Sequence, residues 1–304
     1  MRFQEIRHLC IRQIRRLRFS LLPLLALLTA LTPKSSLGAD TLTILSGAVQ
    51  KAEDSPAVSS SYEFLSGDFL YFSFRVAGFK TRTQPDGNNE AKSISLAYEA
   101  TPFDEHNVAL CPPVAGIIDT ELNAEDKDWT PNREISFVLP SFLAAGSCRL
   151  HLKVQDKFGN EETSRDFPFR IGGTRVTPSS NLTVQNFAFL RKETDRNPLE
   201  VAAYSPGDTV FARFDIVGFK VGEKNTYRLA YGVTVLRPDG KPFLNDPKAA
   251  ELEQDAFYPA PYVPGVLQIS VPPASPRGQY VLVLHVRDLL AGTEYETKRA
   301  FSIE

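Results

Sequence analysis

The chain has 304 residues, of which 42% are hydrophobic, enough for more than one globular core. Beyond residue 39 it carries 27 Lys and Arg against 35 Asp and Glu, a net of −8, and the whole excess of acid lies before residue 174. A surface of that sign excludes nucleic acid and anionic membranes as natural partners, because both need a basic face.

In chain order, the first element is a leader. Arg2, Arg7, Arg12, Arg15, Arg16 and Arg18 face one acid, Glu5; an apolar run extends from Phe19 to Thr32, and small residues come at Ser36, Gly38 and Ala39. This pattern predicts a signal peptide over residues 1–39 and an exported protein, periplasmic or extracellular, with no membrane segment once the leader is removed. An uncleaved signal anchor is the competing reading, although the run falls short of the roughly 20 apolar residues of a spanning helix. Arg18 spoils a twin-arginine reading. Cys10 precedes the apolar run, so it is no lipid-attachment site.

Beyond the leader, one unit is written twice. Residues 42–80 match 182–220 at a constant offset of 140, through pairs such as Gly67/Gly207, Asp68/Asp208, Phe74/Phe214 and Gly78-Phe79-Lys80/Gly218-Phe219-Lys220. Leu96-Ala97-Tyr98 meets Leu229-Ala230-Tyr231, and residues 135–171 then match 267–303 at an offset of 132, pairing Gly146/Gly278, Asp156/Asp288 and Phe169/Phe301. The predicted domains are 40–173 and its duplicate 174–304, joined by the short linker Thr174–Ser180.

Within each copy the apolar residues alternate with period two, the mark of half-buried strands. Leu70, Phe72, Phe74 and Val76 share a face, as do Val210, Ala212, Phe214 and Ile216. Ile135, Phe137 and Leu139 form the next set, then Cys148, Leu150, Leu152 and Val154, matched by Tyr280, Leu282, Leu284 and Val286. The spacing predicts seven strands per copy, near 42–51, 68–77, 93–100, 107–111, 133–139, 147–156 and 164–171 in the first. Ser66-Gly67-Asp68 and Pro206-Gly207-Asp208 open the second strands, and Pro238-Asp239-Gly240 is a hairpin turn. The best helical stretch, Asp246–Asp255, amounts to a turn or two in a loop. The fold class expected is all-β: two tandem seven-stranded antiparallel sandwiches.

The Pro-Gly-Asp strand opening at 206–208, the Pro-Asp-Gly turn at 238–240 and the Gly-x-Tyr-x-Leu-x-Leu-x-Val-x-Asp run at 278–288 carry a resemblance. They are similar to the immunoglobulin-like and macroglobulin-type sandwich domains of secreted bacterial proteins. The resemblance covers both units and implies a fold without naming a ligand. Cys148 replaces the tyrosine of that run in the first unit.

Candidate sites are few. Cys111 and Cys148 survive leader removal, and an oxidising compartment favours their pairing; two separately buried thiols are the alternative. Their counterparts are Leu244 and Tyr280. The three remaining histidines, His106, His151 and His285, show no metal-ligand spacing, and no nucleophile elbow, zinc-protease motif or phosphate loop occurs. The expectation is no enzyme and no cofactor. Asp119, Glu121, Glu125, Asp126 and Asp128 form an acidic loop that lacks the order and the glycine of an EF-hand, so a solvated loop is preferred to a calcium site. The repeated Gly-Phe-Lys reads as a strand end, with phenylalanine closing the core and lysine in solvent. Trp129 and the loop Phe257-Tyr258-Pro259-Ala260-Pro261-Tyr262 offer aromatic groups that either stack on a ligand or lid the end of a sandwich. Asn181-Leu182-Thr183 fits a glycosylation acceptor.

The function expected is that of a non-catalytic exported protein acting in envelope structure, adhesion or protein interaction, its partner a protein or envelope component. A carbohydrate- or other ligand-binding module is the alternative, resting on the aromatics. A two-domain periplasmic chaperone is a further one, and would need a basic cleft.

Overall fold

The structure is a computed structural model that describes residues 41–304, apart from 87–88, 124–125, 127–128 and 196. The expected signal peptide lies outside the described residues. The described residues form one compact unit, built of strands β1 (Thr43–Gln50), β2 (Phe69–Ala77), β3 (Arg82–Asp86), β4 (Asn89–Phe103), β5 (Val114–Leu122), β6 (Asn132–Val138), β7 (Gly146–Asp156) and β8 (Glu162–Ile171) in its first half. The second half holds β9 (Thr183–Leu190), β10 (Ala203–Tyr204), β11 (Thr209–Val217), β12 (Tyr227–Leu236), β13 (Pro242–Gln254), β14 (Val263–Ser270), β15 (Gly278–Asp288) and β16 (Thr293–Ile303), with a 3-10 turn at Glu223–Asn225. The chain is all-β, as its alternation implies.

Each half sets a three-stranded sheet against a larger one. In the first half β1-β2-β6 faces β3-β4-β7-β8, with β5 hydrogen-bonded to β4. In the second, β9-β11-β14 faces β10-β16-β15-β12-β13. The inward residues fall into two separate apolar clusters. Leu70, Phe72, Phe74, Ile94, Leu96, Leu150, Leu152 and Val154 lie in one, and Val210, Phe214, Leu229, Val235, Leu282, Leu284 and Val286 in the other. All are almost fully buried, and each such side chain contributes about 1.5–3 kcal/mol.

Two strand assignments differ from the sequence reading. Residues 107–111 form only a bridge, Phe103↔Ala109, because Asp104 accepts from the amides of His106 and Val108 and folds the chain into a turn with Asn107 at φ 64°. The strand begins after Pro112-Pro113 instead, as β5. Arg82–Asp86 is a further short strand on β4, so among the described residues each half carries eight strands where seven were expected. Asp246–Asp255 is not helical: it lies largely within β13, where pairing with β12 and Pro247 decide against a helix.

The repeated motifs have a local cause. Gly78 and Gly218 sit at φ 75° and 72°, and a Cβ there would lie 2.1 Å from the Thr41 carbonyl oxygen or 2.0 Å from that of Asn181. Only glycine fits. Phe79 and Phe219 then pack on their respective cores. The turn is held by a buried carboxylate. Asp156 accepts from the amides of Lys80 (2.6 Å) and Phe158 (2.9 Å), and Asp288 from those of Lys220 (2.6 Å), Leu290 (2.9 Å) and Ala291 (3.0 Å). Asp68 and Asp208 likewise accept from Leu65 and Ser205, both at 2.8 Å, to set the turn before β2 and β11.

Candidate functional site

The linker is tied down on both sides. The Ala145 amide donates to the Thr174 carbonyl, and Gln185 exchanges two hydrogen bonds with the Thr177 backbone. Asn186 Nδ2 donates to the Arg175 carbonyl at 2.8 Å. Beside it the halves trade aromatics. Tyr258, from the second half, packs against the first core and donates its hydroxyl to Asp104 Oδ2 at 3.0 Å. Phe142, from the first half, packs against the second core, its ring 6.1 Å from that of buried Tyr262.

This exchange changes the meaning of the Phe257–Tyr262 loop. Two of its three aromatics are engaged in the junction, leaving Phe257 exposed; Trp129, on its own loop, is also partly exposed. The loop is thus no open stacking platform. Between the halves lies a cavity of about 400 Å³ whose lining includes Asp104, Glu105, His106, Cys148, Phe219 and Tyr258. Among the described residues no lysine or arginine lines it, so it lacks the basic group that a chaperone cleft would offer a client carboxylate.

The chemistry in that cavity is quiet. Burial, with Asp104 and Glu105 adding to it, pushes the Cys148 thiol up to about 12. Burial raises Cys111 to about 11. Neither supplies a thiolate at neutral pH, which a nucleophile would need. Burial and Asp104 also raise the Tyr258 hydroxyl well above its ordinary value. Both cysteines are free thiols in the structure. Residues 109–114 flank one side of β4, through Phe103↔Ala109 and Ala100↔Val114, while β7 flanks the other, through Phe103↔Arg149. Cys111 and Cys148 therefore stand on opposite sides of β4.

The other sequence candidates are dispersed. His151 lies on an outer face with its Nδ1 2.6 Å from Asp166, its partner across β7 and β8; His285 similarly lies 3.4 Å from Glu296. Of the acidic loop, Asp119 and Glu121 lie on β5 and Asp126 in the turn after it, whereas Glu125 and Asp128 lie outside the described residues. Among the described residues no His, Cys, Asp and Glu group suited to a metal occurs. Asn181 is exposed just ahead of β9.

Sequence reasoning missed the feature that most distinguishes the halves. On the outer face of the small sheet, Phe69 and Val138 are cross-strand neighbours and are 53% and 57% exposed. Tyr71 continues the patch, its ring 6.2 Å from that of Phe69. The second half has Thr209 and Ser270 at the matching pair. The signal was available in the alternation itself, since Phe69 and Val138 are apolar residues on the polar phase of their strands.

Fold and surface together define an all-β protein of two cores with a buried junction. No protein-family model matches the chain, and no curated protein matches it by sequence. Among solved structures, the C-terminal domain of the Streptococcus agalactiae antigen I/II polypeptide BspA aligns over 84% of this chain and 99% of its own, at 10% identity and a TM-score of 0.28. The C-terminal domain of the Streptococcus pyogenes antigen I/II-family protein AspA aligns over 87% and 99%, again at 10% identity and 0.28. Escherichia coli alpha-2-macroglobulin aligns over 88% of this chain and 17% of its own, at 10% identity and 0.27. Scores this low say nothing of ligands.

Proposed function

We propose that the chain is an exported, non-catalytic protein that works by binding another protein through its first half, in adhesion or envelope assembly. The observation that carries this reading is the Phe69–Tyr71–Val138 patch. Two large apolar side chains directly opposite each other on a solvated sheet face are a cost that a purely structural sheet avoids. The second half performs the same structural task with Thr209 and Ser270. The charge excess of the first half, net −8 against a balanced second half, favours a basic partner surface.

The test is a pull-down from an envelope extract with the mature protein, identified by mass spectrometry and repeated with the Phe69→Ser/Val138→Ser variant. A protein captured by the wild type and lost with the variant supports the reading. Capture unaffected by the variant, or no capture alongside a positive signal on a glycan array, would replace it with the ligand-binding alternative.

A further inference from the structure

We propose that the free edge of β5 receives an added strand: a basic, extended segment of a partner protein. The inference rests on the first half being the binding half and names the kind of segment it binds. β5 pairs with β4 without a break in register, from Lys92↔Leu122 to Ala100↔Val114. Among the described residues it has no ladder on its other flank. Half the amides and carbonyls of this nine-residue strand therefore point outward, as a template for a further strand.

Sheet edges are normally guarded, and the second half shows how. Its corresponding edge strand, β13, contains Pro242 and Pro247 and carries Lys248, Glu251 and Glu253. A bulge interrupts its register between Tyr231↔Ala250 and Val233↔Asp246, and there the chain arches over Gly232, where a Cβ would lie 2.6 Å from Pro247. Arg287 donates to the Pro247 carbonyl at 3.3 Å and holds the arch. Proline, lysine and bulge are devices that block edge pairing. β5 reads Val-Ala-Gly-Ile-Ile-Asp-Thr-Glu-Leu, with no proline, no lysine and no bulge. Glu99 takes the place of Gly232, and no arch covers it. The space is instead an open cleft of about 460 Å³ whose lining includes Ala97, Glu99, Ala115, Ile117 and Lys153.

The side chains specify the occupant. On the core side of β5, Ile118 is buried and Val114 and Leu122 pack on the core, so an added strand meets apolar groups there. On the solvent side stand Ala115, exposed Ile117, Asp119 and Glu121, with Glu99 on the neighbouring strand. Among the described residues the bases nearby are Lys92, at the far end opposite Leu122, and Lys153, which is paired with Glu162 at 2.8 Å. A fitting segment alternates apolar residues facing inward with Lys or Arg facing outward. A second copy of the chain would bring another acidic β5 to the same edge, and charge disfavours it.

The probe is a nine-residue peptide of alternating valine and lysine, offered to the mature full chain while amide hydrogen exchange is monitored. Strand addition should slow exchange across residues 114–122 by at least about tenfold. The effect should vanish for the same peptide methylated on every backbone nitrogen, and for the Asp119→Lys/Glu121→Lys protein with its urea midpoint unchanged. Equal protection by the methylated peptide would mean charge attraction alone and overturn the proposal. Absence of protection would overturn it too. Protection without peptide that grows with protein concentration would assign the edge to a second copy. The methylated-peptide comparison needs no protein variant, so a folding failure does not blunt it. The Phe69/Val138 pull-down reads the wider proposal separately.

Discussion

The two halves share a backbone plan and solve one packing problem in opposite ways. In the first, Gly47 of β1 leaves room for Phe167 of β8, whose ring lies 4.8 Å from Phe72; a Cβ on Gly47 would sit 2.4 Å from that ring. In the second, the matching positions hold Phe187 and Arg299. Phe187 now fills the space from β9, stacked on Phe214 at 6.1 Å, with the Arg299 guanidinium 5.3 Å above it. One aromatic is required, and either sheet can supply it. What the duplicates keep without change is the turn chemistry: Gly78 and Gly218, Asp68 and Asp208, Asp156 and Asp288. Volume can be moved between strands, whereas a positive φ or a turn amide needing an acceptor has few substitutes.

A covalent link would be the largest possible difference between the halves. A Cys111–Cys148 bridge would close 37 residue steps and add about 3–4 kcal/mol to the first half alone in the chain-entropy model. The bridge remains a proposal, and it requires the segment after Asn107 to pass β4, since bonded cysteines need Cα atoms within about 7 Å. Alkylation of the unfolded exported protein without reductant decides it by mass. The free thiols of the structure predict two modified cysteines; none would establish the bridge and a rearranged end of β4.

The carboxylates come next. Asp156→Ala and Asp288→Ala each remove the acceptor of two or three partly buried turn amides, and each should cost about 3 kcal/mol. If the halves share one scaffold, the two losses should agree within about 1 kcal/mol in urea unfolding. A small loss at one site alone would show that its Gly-Phe-Lys turn is held by something else.

How far the halves depend on each other is set by the junction. We propose that residues 174–304 fold alone, since they contain a complete set of strands and their own core, with the shift that Phe142 no longer packs on it. Phe142→Ala in the whole chain should cost about 2 kcal/mol, seen as an earlier transition of the second half. A cooperative transition and dispersed amide shifts for the isolated half support two domains; a molten product would mean that the junction is part of one shared core.

The Gly47/Phe167 exchange can be tested directly. Gly47→Ala should cost about 2 kcal/mol by overpacking, and the cost should disappear in a Phe167→Ala background. Additive losses would show that the backbone of β1, and not the ring, resists the methyl group.

The sequence made the all-β class and most strand positions legible, because alternation survives wherever one face is buried. It misplaced the fourth strand: apolar Val108, Leu110 and Cys111 resemble a strand, but Asp104 turns the chain just before them and Pro112-Pro113 delays the ladder. The Phe257–Tyr262 loop looked like a lid or a platform because sequence cannot tell an aromatic aimed at solvent from one aimed at the neighbouring half. The cysteine pair was inferred from compartment, count and the apolar counterparts Leu244 and Tyr280, none of which measures a distance, so the alkylation experiment decides it. The exposed Phe69–Val138 pair was visible as a phase error but is meaningful only once Thr209 and Ser270 are seen opposite each other in the duplicate.

The smallest expected effect concerns the junction hydroxyl. Tyr258→Phe removes one donor to Asp104 and should cost about 1 kcal/mol at neutral pH. Its signature lies in the pH dependence. The Tyr258 hydroxyl is raised above its ordinary 10.0 by burial first and by Asp104 second, so the folded chain favours the protonated form. Its contribution is therefore complete below about pH 10 and falls as pH climbs above that, because the unfolded chain loses the proton first. Wild-type stability should decline above pH 10 more steeply than that of Tyr258→Phe, in urea titrations at fixed ionic strength. Parallel curves would mean that Tyr258 is as accessible as a free tyrosine, and that the two halves do not hold each other at this point.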